Sequence, residues 1–327
     1  MSEKAYVLEV NNLKKYFPIK AGLLKKTVGH VKAVDDISFK VRETETLSLV
    51  GESGCGKSTT GRTILRLYES TSGEVFFKGK NILEIPKSQF RKMRRDIQMI
   101  FQDPFSSLNP RMTVKELLME PLLTHGIASK KEAFTLAEEM IEKVGLSKEQ
   151  LSRYPHEFSG GQRQRISIAR ALIVKPKVVI LDEAVSALDV SIQSQILNLL
   201  IKLQEEFELT YIFISHDLNV VKHLSNRVGV MFLGQMMELA ETDVLYDNPL
   251  HPYTKALLSA IPSLDPTEKK ERIILEGDVP DPSNPPTGCP FRLRCPHAFE
   301  RCASEKPAFV EREDNHWVAC HLYDEEN

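Results

Sequence analysis

No apolar run in this chain approaches the roughly 18 residues that a helix needs to cross a bilayer. Met1 to Val10 lack a basic start followed by an apolar core, so no secretory leader is expected. The expectation is a protein soluble and intracellular on its own, whose membrane role, if any, needs a partner to dock on. Charge of one sign is also missing: 43 Lys and Arg stand against 45 Asp and Glu, a net charge of -2. That balance argues against nucleic acid as a partner, which calls for a basic face. There is no internal repeat, no long low-complexity tract and no heptad series, so solenoids and coiled coils are excluded. Cysteine is scarce, five in all, but Cys289, Cys295, Cys302 and Cys320 crowd the C-terminal end. In a reducing cytosol such crowding suggests metal ligation over disulfides.

What is present suffices for a core: 42% of 327 residues are hydrophobic, enough for one large domain with an appendage or two modest domains. Residues 5–50 read mainly as strands, with Ile37, Phe39 and Val41 alternating onto one face. Thr46 to Val50 is a short apolar strand running into glycines, and Lys57 to Tyr68 reads as a helix. Strand signals vanish from about 105 to 175. There, Ser129 and Glu132 form a possible capping box for a helix that Gly145 stops, with Ala133, Ala137, Met140, Ile141 and Val144 as its apolar stripe. From 177 the α/β pattern returns, and near 250 it gives way to proline-rich chain, with Pro280, Pro282, Pro285 and Pro286 breaking any helix or central strand. The expected division is 1–250, with a helical insertion at about 103–175, and a small module over 251–327.

Gly51-Glu-Ser-Gly-Cys-Gly56-Lys57-Ser58 fits G-x-x-x-x-G-K-S between a strand and a helix. Its glycines let backbone N–H groups curl around phosphate oxygens, and the helix start adds a positive dipole end. Lys57 is placed to neutralise phosphate charge and Ser58 to hold Mg2+. Ser53, Gly54, Cys55 and Thr59 belong to the same nucleotide-contacting stretch; Cys55 reads as a small residue with no redox task.

Val178-Val-Ile-Leu-Asp182-Glu183 is an apolar strand ending in two acids. Asp182 suits the Mg2+ shell, and Glu183, one residue on, suits polarising an attacking water. His216 follows the next strand, in Ile214-Ser-His-Asp217, where it could contact a γ-phosphate. Taken singly, these are an acidic strand cap and a surface imidazole; their order behind a P-loop favours chemistry. Ser159-Gly160-Gly161-Gln162-Arg-Gln-Arg165 then offers a hydroxyl and glycine N–H groups at a second helix start. One ATP does not need two helix-start sites in one subunit. Two head-to-tail subunits, each covering the other's ATP, do.

This segment resembles the signature motif of ABC ATPases. The resemblance implies an α/β P-loop ABC ATPase core, a RecA-like sheet domain, with an α-helical subdomain and a loop-rich extension. In it Tyr16 looks like the aromatic that stacks on adenine, with Phe17 as rival. Gln102, in Ile100-Phe-Gln-Asp-Pro, looks like the Q-loop glutamine that senses nucleotide and contacts Mg2+; Ser186-Ala-Leu-Asp189 looks like the D-loop, and His216 like the switch histidine. The chain departs from the family in Ala184-Val185, where Pro-Thr is usual. The resemblance implies two ATPs gluing two such subunits together and hydrolysis releasing them, with Phe101 to Pro110 and the helical insertion forming a docking groove for membrane partners.

His251-Pro-Tyr253-Thr-Lys-Ala-Leu-Leu-Ser-Ala260, Phe101-Gln-Asp-Pro-Phe-Ser-Ser-Leu-Asn-Pro110, the Pro18 to Val34 insertion and Arg153-Tyr-Pro-His-Glu-Phe-Ser-Gly160 are similar to the oligopeptide/dipeptide importer branch. That branch implies a second, different ATPase subunit, two transmembrane permease subunits, an extracytoplasmic binding protein, no nucleic acid, and a place at the cytoplasmic face of the membrane. It also includes nickel and glutathione systems. The four tail cysteines lack the C-x2-C knuckles of zinc modules. A [4Fe-4S] cluster suits them, and relatives in this branch carry one; zinc, aided by His297, His316 or His321, and unmetallated thiols are the alternatives. A soluble ABC ATPase of translation or DNA repair and a catalytically silent regulatory subunit are the competing readings.

Overall fold

The computed structural model describes residues 5–22, 25–261 and 272–324. In chain order the elements open with β1 (Tyr6–Ala21), β2 (Lys26–Arg42), β3 (Thr46–Val50), α1 (Lys57–Ile64), β4 (Ser72–Phe77), β5 (Lys80–Asn81), α2 (Lys87–Met93) and β6 (Ile97–Ile100). Then come α3 (Pro104–Ser107), α4 (Val114–Thr124), α5 (Lys130–Lys143), α6 (Gly160–Leu172), β7 (Val178–Asp182), α7 (Val190–Phe207) and β8 (Thr210–Ile214). The rest are α8 (Leu218–Leu224), β9 (Arg227–Phe232), β10 (Gln235–Glu241), α9 (Thr242–Asp247), α10 (Pro252–Ser259), α11 (Glu300–Ser304), β11 (Val310–Glu313) and β12 (His316–Val318). None of the described helices is long and apolar enough to cross a membrane.

The chain divides into two compact units. One comprises Ala5, Arg42–Glu45 and Glu84–Ile214. Its sheet is parallel: β6 pairs with β7 (Ile97 with Val178) and β7 with β8 (Asp182 with Ile214). Every residue of β7 and β8 is buried, as expected of parallel strands covered on both faces. Among the described residues no strand lies between Ile100 and Val178; that stretch is helical.

Capping explains where those helices begin. Thr113, Ser129 and Ser159 each accept a hydrogen bond from the backbone N–H three residues on, and Glu116, Glu132 and Gln162 each reach back to the cap. Each such cap contributes about 1 kcal/mol. The α5 stripe of Ala133, Ala137, Met140 and Ile141 is buried as its periodicity predicts. The α6 arginines fasten this region: Arg165 donates to the Val144 carbonyl at the end of α5 (2.7 Å), Arg170 to Ser107 O (3.0 Å) and Arg163 to Phe158 O (2.9 Å).

The other unit comprises the described residues of Tyr6–Val41, Thr46–Leu83 and Ser215–Asn327. It holds an antiparallel sheet in the order β2-β1-β4-β5. A second group is mixed: β3 lies parallel to β9, β9 antiparallel to β10, β10 to β12 and β12 to β11. The helix expected over Lys57 to Tyr68 stops at Ile64, because Arg66 turns left-handed (φ 52) and sends its guanidinium to Ile82 O (2.9 Å). Residues 262–271 of the expected appendage lie outside the described residues.

Candidate functional site

Within the second unit, β3 is buried along its whole length and delivers the chain to Gly51. The turn before α1 requires glycine at Gly56: φ is 104, and a Cβ there would stand 2.1 Å from Ala33 O. The loop closes on itself through Cys55 N to Glu52 O (3.2 Å), and Gly234 N donates to Cys55 O (2.9 Å). Lys57 is 4% exposed. Its ammonium donates to Gly51 O (2.7 Å) and Glu52 O (3.0 Å), so the positive charge is fixed inside the loop at the start of α1. Ser58 and Thr59 form the first turn of that helix. Cys55 is buried, which pushes its thiol up and suits a packing role.

Two further predicted residues belong to this unit. Ser215 N donates to Leu49 O (3.2 Å), which sets His216, exposed, beside the carboxyl end of β3. Tyr16 donates its hydroxyl to Asp35, and the Lys32 ammonium sits 5.8 Å from its ring centre. Burial first, then the Asp35 carboxylate, pushes the phenol up, so it stays neutral. The rival Phe17 packs edge-on against Tyr68 at 5.3 Å with Lys15 over its ring at 4.6 Å.

The first unit holds the carboxylates. Asp182 is 1% exposed at the end of β7. The next residue, Glu183, takes a left-handed φ of 49. Its N–H donates to Ile214 O (3.0 Å), and its carbonyl accepts from Ser186 N (3.1 Å) and Ser186 Oγ (3.0 Å). Gln102 Nε2 donates to Glu183 Oε2 at 2.7 Å, joining residues 81 apart in sequence. The unusual Ala184-Val185 pair is 2% exposed at both positions and the turn beyond it closes, Leu188 N reaching Val185 O (3.2 Å). Within this unit Gln102 and Asp182 each offer an oxygen, the donor type that Mg2+ takes, as Ser58 does in the other.

Ser159 caps α6 in the same unit, with Gly160 and Gly161 as its first residues. A Cβ on Gly161 would meet Ile192 Cγ2 at 2.5 Å, so only glycine lets α6 approach α7 this closely. Asp189 stands at the start of α7 without spending its carboxylate on a cap.

A groove of roughly 760 Å3 between α4 and α5 is lined by Met119, Leu123 and Phe134 among Lys115, Glu116 and Lys131. Phe101 (38% exposed) and Phe105 (60%) add apolar surface, and Arg163 lies 4.0 Å over the Phe105 ring.

The four tail thiols neighbour one another. Burial chiefly, with the other cysteines adding, pushes Cys289 up to about 11 and Cys320 up to about 12; Cys295 is raised by burial and Cys302. Cys289 N donates to Cys302 O (2.8 Å). Yet among the described residues no group of three or more His, Cys, Asp or Glu is set to hold a metal ion. The donors expected for a cluster are gathered, but not into a ligand cage. Two imidazoles considered for zinc are engaged elsewhere: His316 with Glu238 (2.7 Å), and His321 with Asp324 (3.0 Å) and Glu305 O (3.1 Å).

Sequence reasoning missed the partners of Glu52. Its carboxylate meets Arg294 and its N–H meets Tyr253, both in the C-terminal part. The residue types are visible in the sequence, but no local spacing links positions 242 and 201 residues apart.

Two known families match parts of the chain. Residues 34–186 match the ABC transporter family, and residues 237–302 match the oligopeptide/dipeptide transporter C-terminal region. The chain is 56% identical over 320 residues to the oligopeptide transport ATP-binding protein AppF of Bacillus subtilis, covering 97% of each. It is 51% identical over 325 residues to OppF of Salmonella typhimurium, covering 98% of this chain and 97% of the relative. It is 49% identical over 320 residues to the dipeptide transport ATP-binding protein DppF of Haemophilus influenzae, covering 98% of each. Among solved structures, a dimeric ATP-binding cassette in a post-hydrolysis state with ADP and Pi matches with a TM-score of 0.64 and 30% identity, over 72% of this chain and 98% of that one.

Proposed function

Because the chain belongs to the ABC transporter family, we propose that it is the ATP-hydrolysing subunit that energises import of oligopeptides or dipeptides across a membrane. One observation carries this: likeness to oligopeptide and dipeptide ATP-binding proteins runs the length of the chain and includes the C-terminal region.

In this reading residues 1–250 form the ATPase domain, with its helical subdomain at about 103–175, and 251–327 form the extension. Lys57 and the loop N–H groups hold the β- and γ-phosphates. Ser58, Gln102 and Asp182 hold Mg2+, which when bound neutralises charge on the phosphates. Glu183 polarises the attacking water, Gln102 orients Glu183, and His216 contacts the γ-phosphate. Tyr16 stacks on adenine. Ser159, Gly160, Gly161, Gln162 and Asp189 serve the ATP of a partner subunit, a second and different ATPase. The apolar groove on α4 and α5, with Phe101 and Phe105, receives two transmembrane permease subunits, which places the chain at the cytoplasmic face of the membrane. An extracytoplasmic binding protein delivers the peptide.

Cys289, Cys295, Cys302 and Cys320 would hold a [4Fe-4S] cluster, with zinc as the alternative. Support comes from the donor set: four neighbouring thiols, with burial disfavouring the ionisation of Cys289, Cys295 and Cys320, a cost that a cationic centre would offset. Such a centre supplies a cross-link to a tail poor in core, not a redox step.

The test is purification of the Glu183→Gln protein from its native membranes, in mild detergent with ATP, followed by mass spectrometry and by iron and acid-labile sulfide assay. The expected companions are two membrane subunits, a second ATPase and a peptide-binding protein. Ribosomal or DNA-repair proteins without membrane partners would overturn the transport reading. Zinc in place of iron and sulfide, or no metal, would overturn the cluster.

A further inference from the structure

Glu52, the second residue of the phosphate loop, is tied down at three points. Its carboxylate receives two hydrogen bonds from the Arg294 guanidinium, Nη1 to Oε2 at 2.7 Å and Nη2 to Oε1 at 3.1 Å. Its N–H donates to Tyr253 Oη at 2.9 Å. Its carbonyl accepts from Cys55 N (3.2 Å) and from the Lys57 ammonium (3.0 Å). The first two ties come from the C-terminal extension and the third faces the phosphate cradle.

Both outside partners are themselves rigid. The Arg294 side chain is 9% exposed. Tyr253 is fully buried, its ring 4.9 Å from Phe232 and 5.3 Å from Phe291. The His-Pro-Tyr start of α10 sets that ring: His251 Nδ1 accepts from Tyr253 N (3.0 Å), and burial pushes the imidazole down to about 4, which keeps it a neutral acceptor. Pro252 fixes the first helical turn.

We propose that the extension braces the phosphate loop through Glu52, with Arg294 and Tyr253 as positioning residues for ATP binding. The brace holds the Gly51–Glu52 peptide plane, and with it Gly51 O, the carbonyl that accepts from the Lys57 ammonium at 2.7 Å. A loop ordered beforehand does not have to be ordered by the nucleotide, so the gain falls on affinity. Neither residue touches the reacting atoms, so kcat is spared.

The inference rests on the ATPase reading above. The experiment measures ATP affinity of the full chain by calorimetry well below its melting temperature, and KM and kcat of the assembled complex. Arg294→Ala is expected to weaken ATP binding and raise KM about tenfold, the loss of a bidentate charge-assisted pair, with kcat little changed. Tyr253→Phe, which keeps the aromatic packing, is expected to weaken binding less. The swap Glu52→Arg with Arg294→Glu is expected to recover part of the loss. A purely structural tie would lower the melting temperature and leave the dissociation constant at the wild-type value; that result, or a swap no better than its single variants, overturns the proposal. If Arg294→Ala does not fold, unchanged affinity in Tyr253→Phe overturns it equally. A wild-type chain that fails to bind ATP would instead overturn the ATPase reading.

Discussion

Glu183 pays for its position in backbone strain. A φ of 49 costs a non-glycine residue on the order of 1 kcal/mol or more, and it persists because Ile214 O, Ser186 and Gln102 all hold the residue there. The left-handed residue follows directly on Asp182, the last residue of β7. Glutamine at this position keeps an oxygen for Gln102 to donate to but cannot take a proton. Glu183→Gln is therefore expected to lower phosphate release by the assembled complex by about 100-fold or more while ATP affinity is retained. An unchanged rate would remove Glu183 from the reaction and leave a chain that only binds nucleotide.

Two helices of the first unit begin with the same device and are expected to part company in function. Ser129 opens α5 and Ser159 opens α6, each in a reciprocal capping box. Removing either hydroxyl costs about 1 kcal/mol. Ser129→Ala and Ser159→Ala should thus lower the melting temperature by similar amounts, about 2–4 °C. Only Ser159→Ala is expected to abolish hydrolysis in the assembled complex, because the proposed function gives only that helix start a partner's ATP to serve. Equal activity in the two variants would reduce the serine-glycine-glycine segment to an ordinary cap. The arginines of α6 belong to this scale as well: they turn one helix into a fastening for α5 and for the Phe105 ring.

For the whole molecule, the proposed function makes the functional groups of one chain incomplete without a second. If the signature segment serves another subunit's nucleotide, as proposed, the isolated chain is expected to hydrolyse ATP weakly, with specific activity rising with protein concentration. Brisk turnover by strictly monomeric protein at high dilution would sink the shared-site mechanism. The extension acts at this scale through Glu52, adding chain beyond 250 to a loop that begins at Gly51.

The sequence by itself determined everything that depends on neighbours in the chain. The spacing from Gly51 to Ser58, the apolar strand before Asp182 and the caps Ser129 and Ser159 are local patterns, and each fixes its element whatever lies around it. The family likeness follows from the order of those patterns. Tertiary structure alone decided the pairings across long separations: Gln102 with Glu183, Arg294 and Tyr253 with Glu52, His316 with Glu238. It also ended α1 at Ile64, where Arg66 gave up helical geometry for a bond to Ile82 O. The tail thiols sit between the two cases, since their number is written in the chain but their mutual approach is set by packing. The physical reason is common to all of these. A hydrogen bond or ion pair between distant residues has no period and no spacing, and its partner is chosen only when buried surface brings the two together.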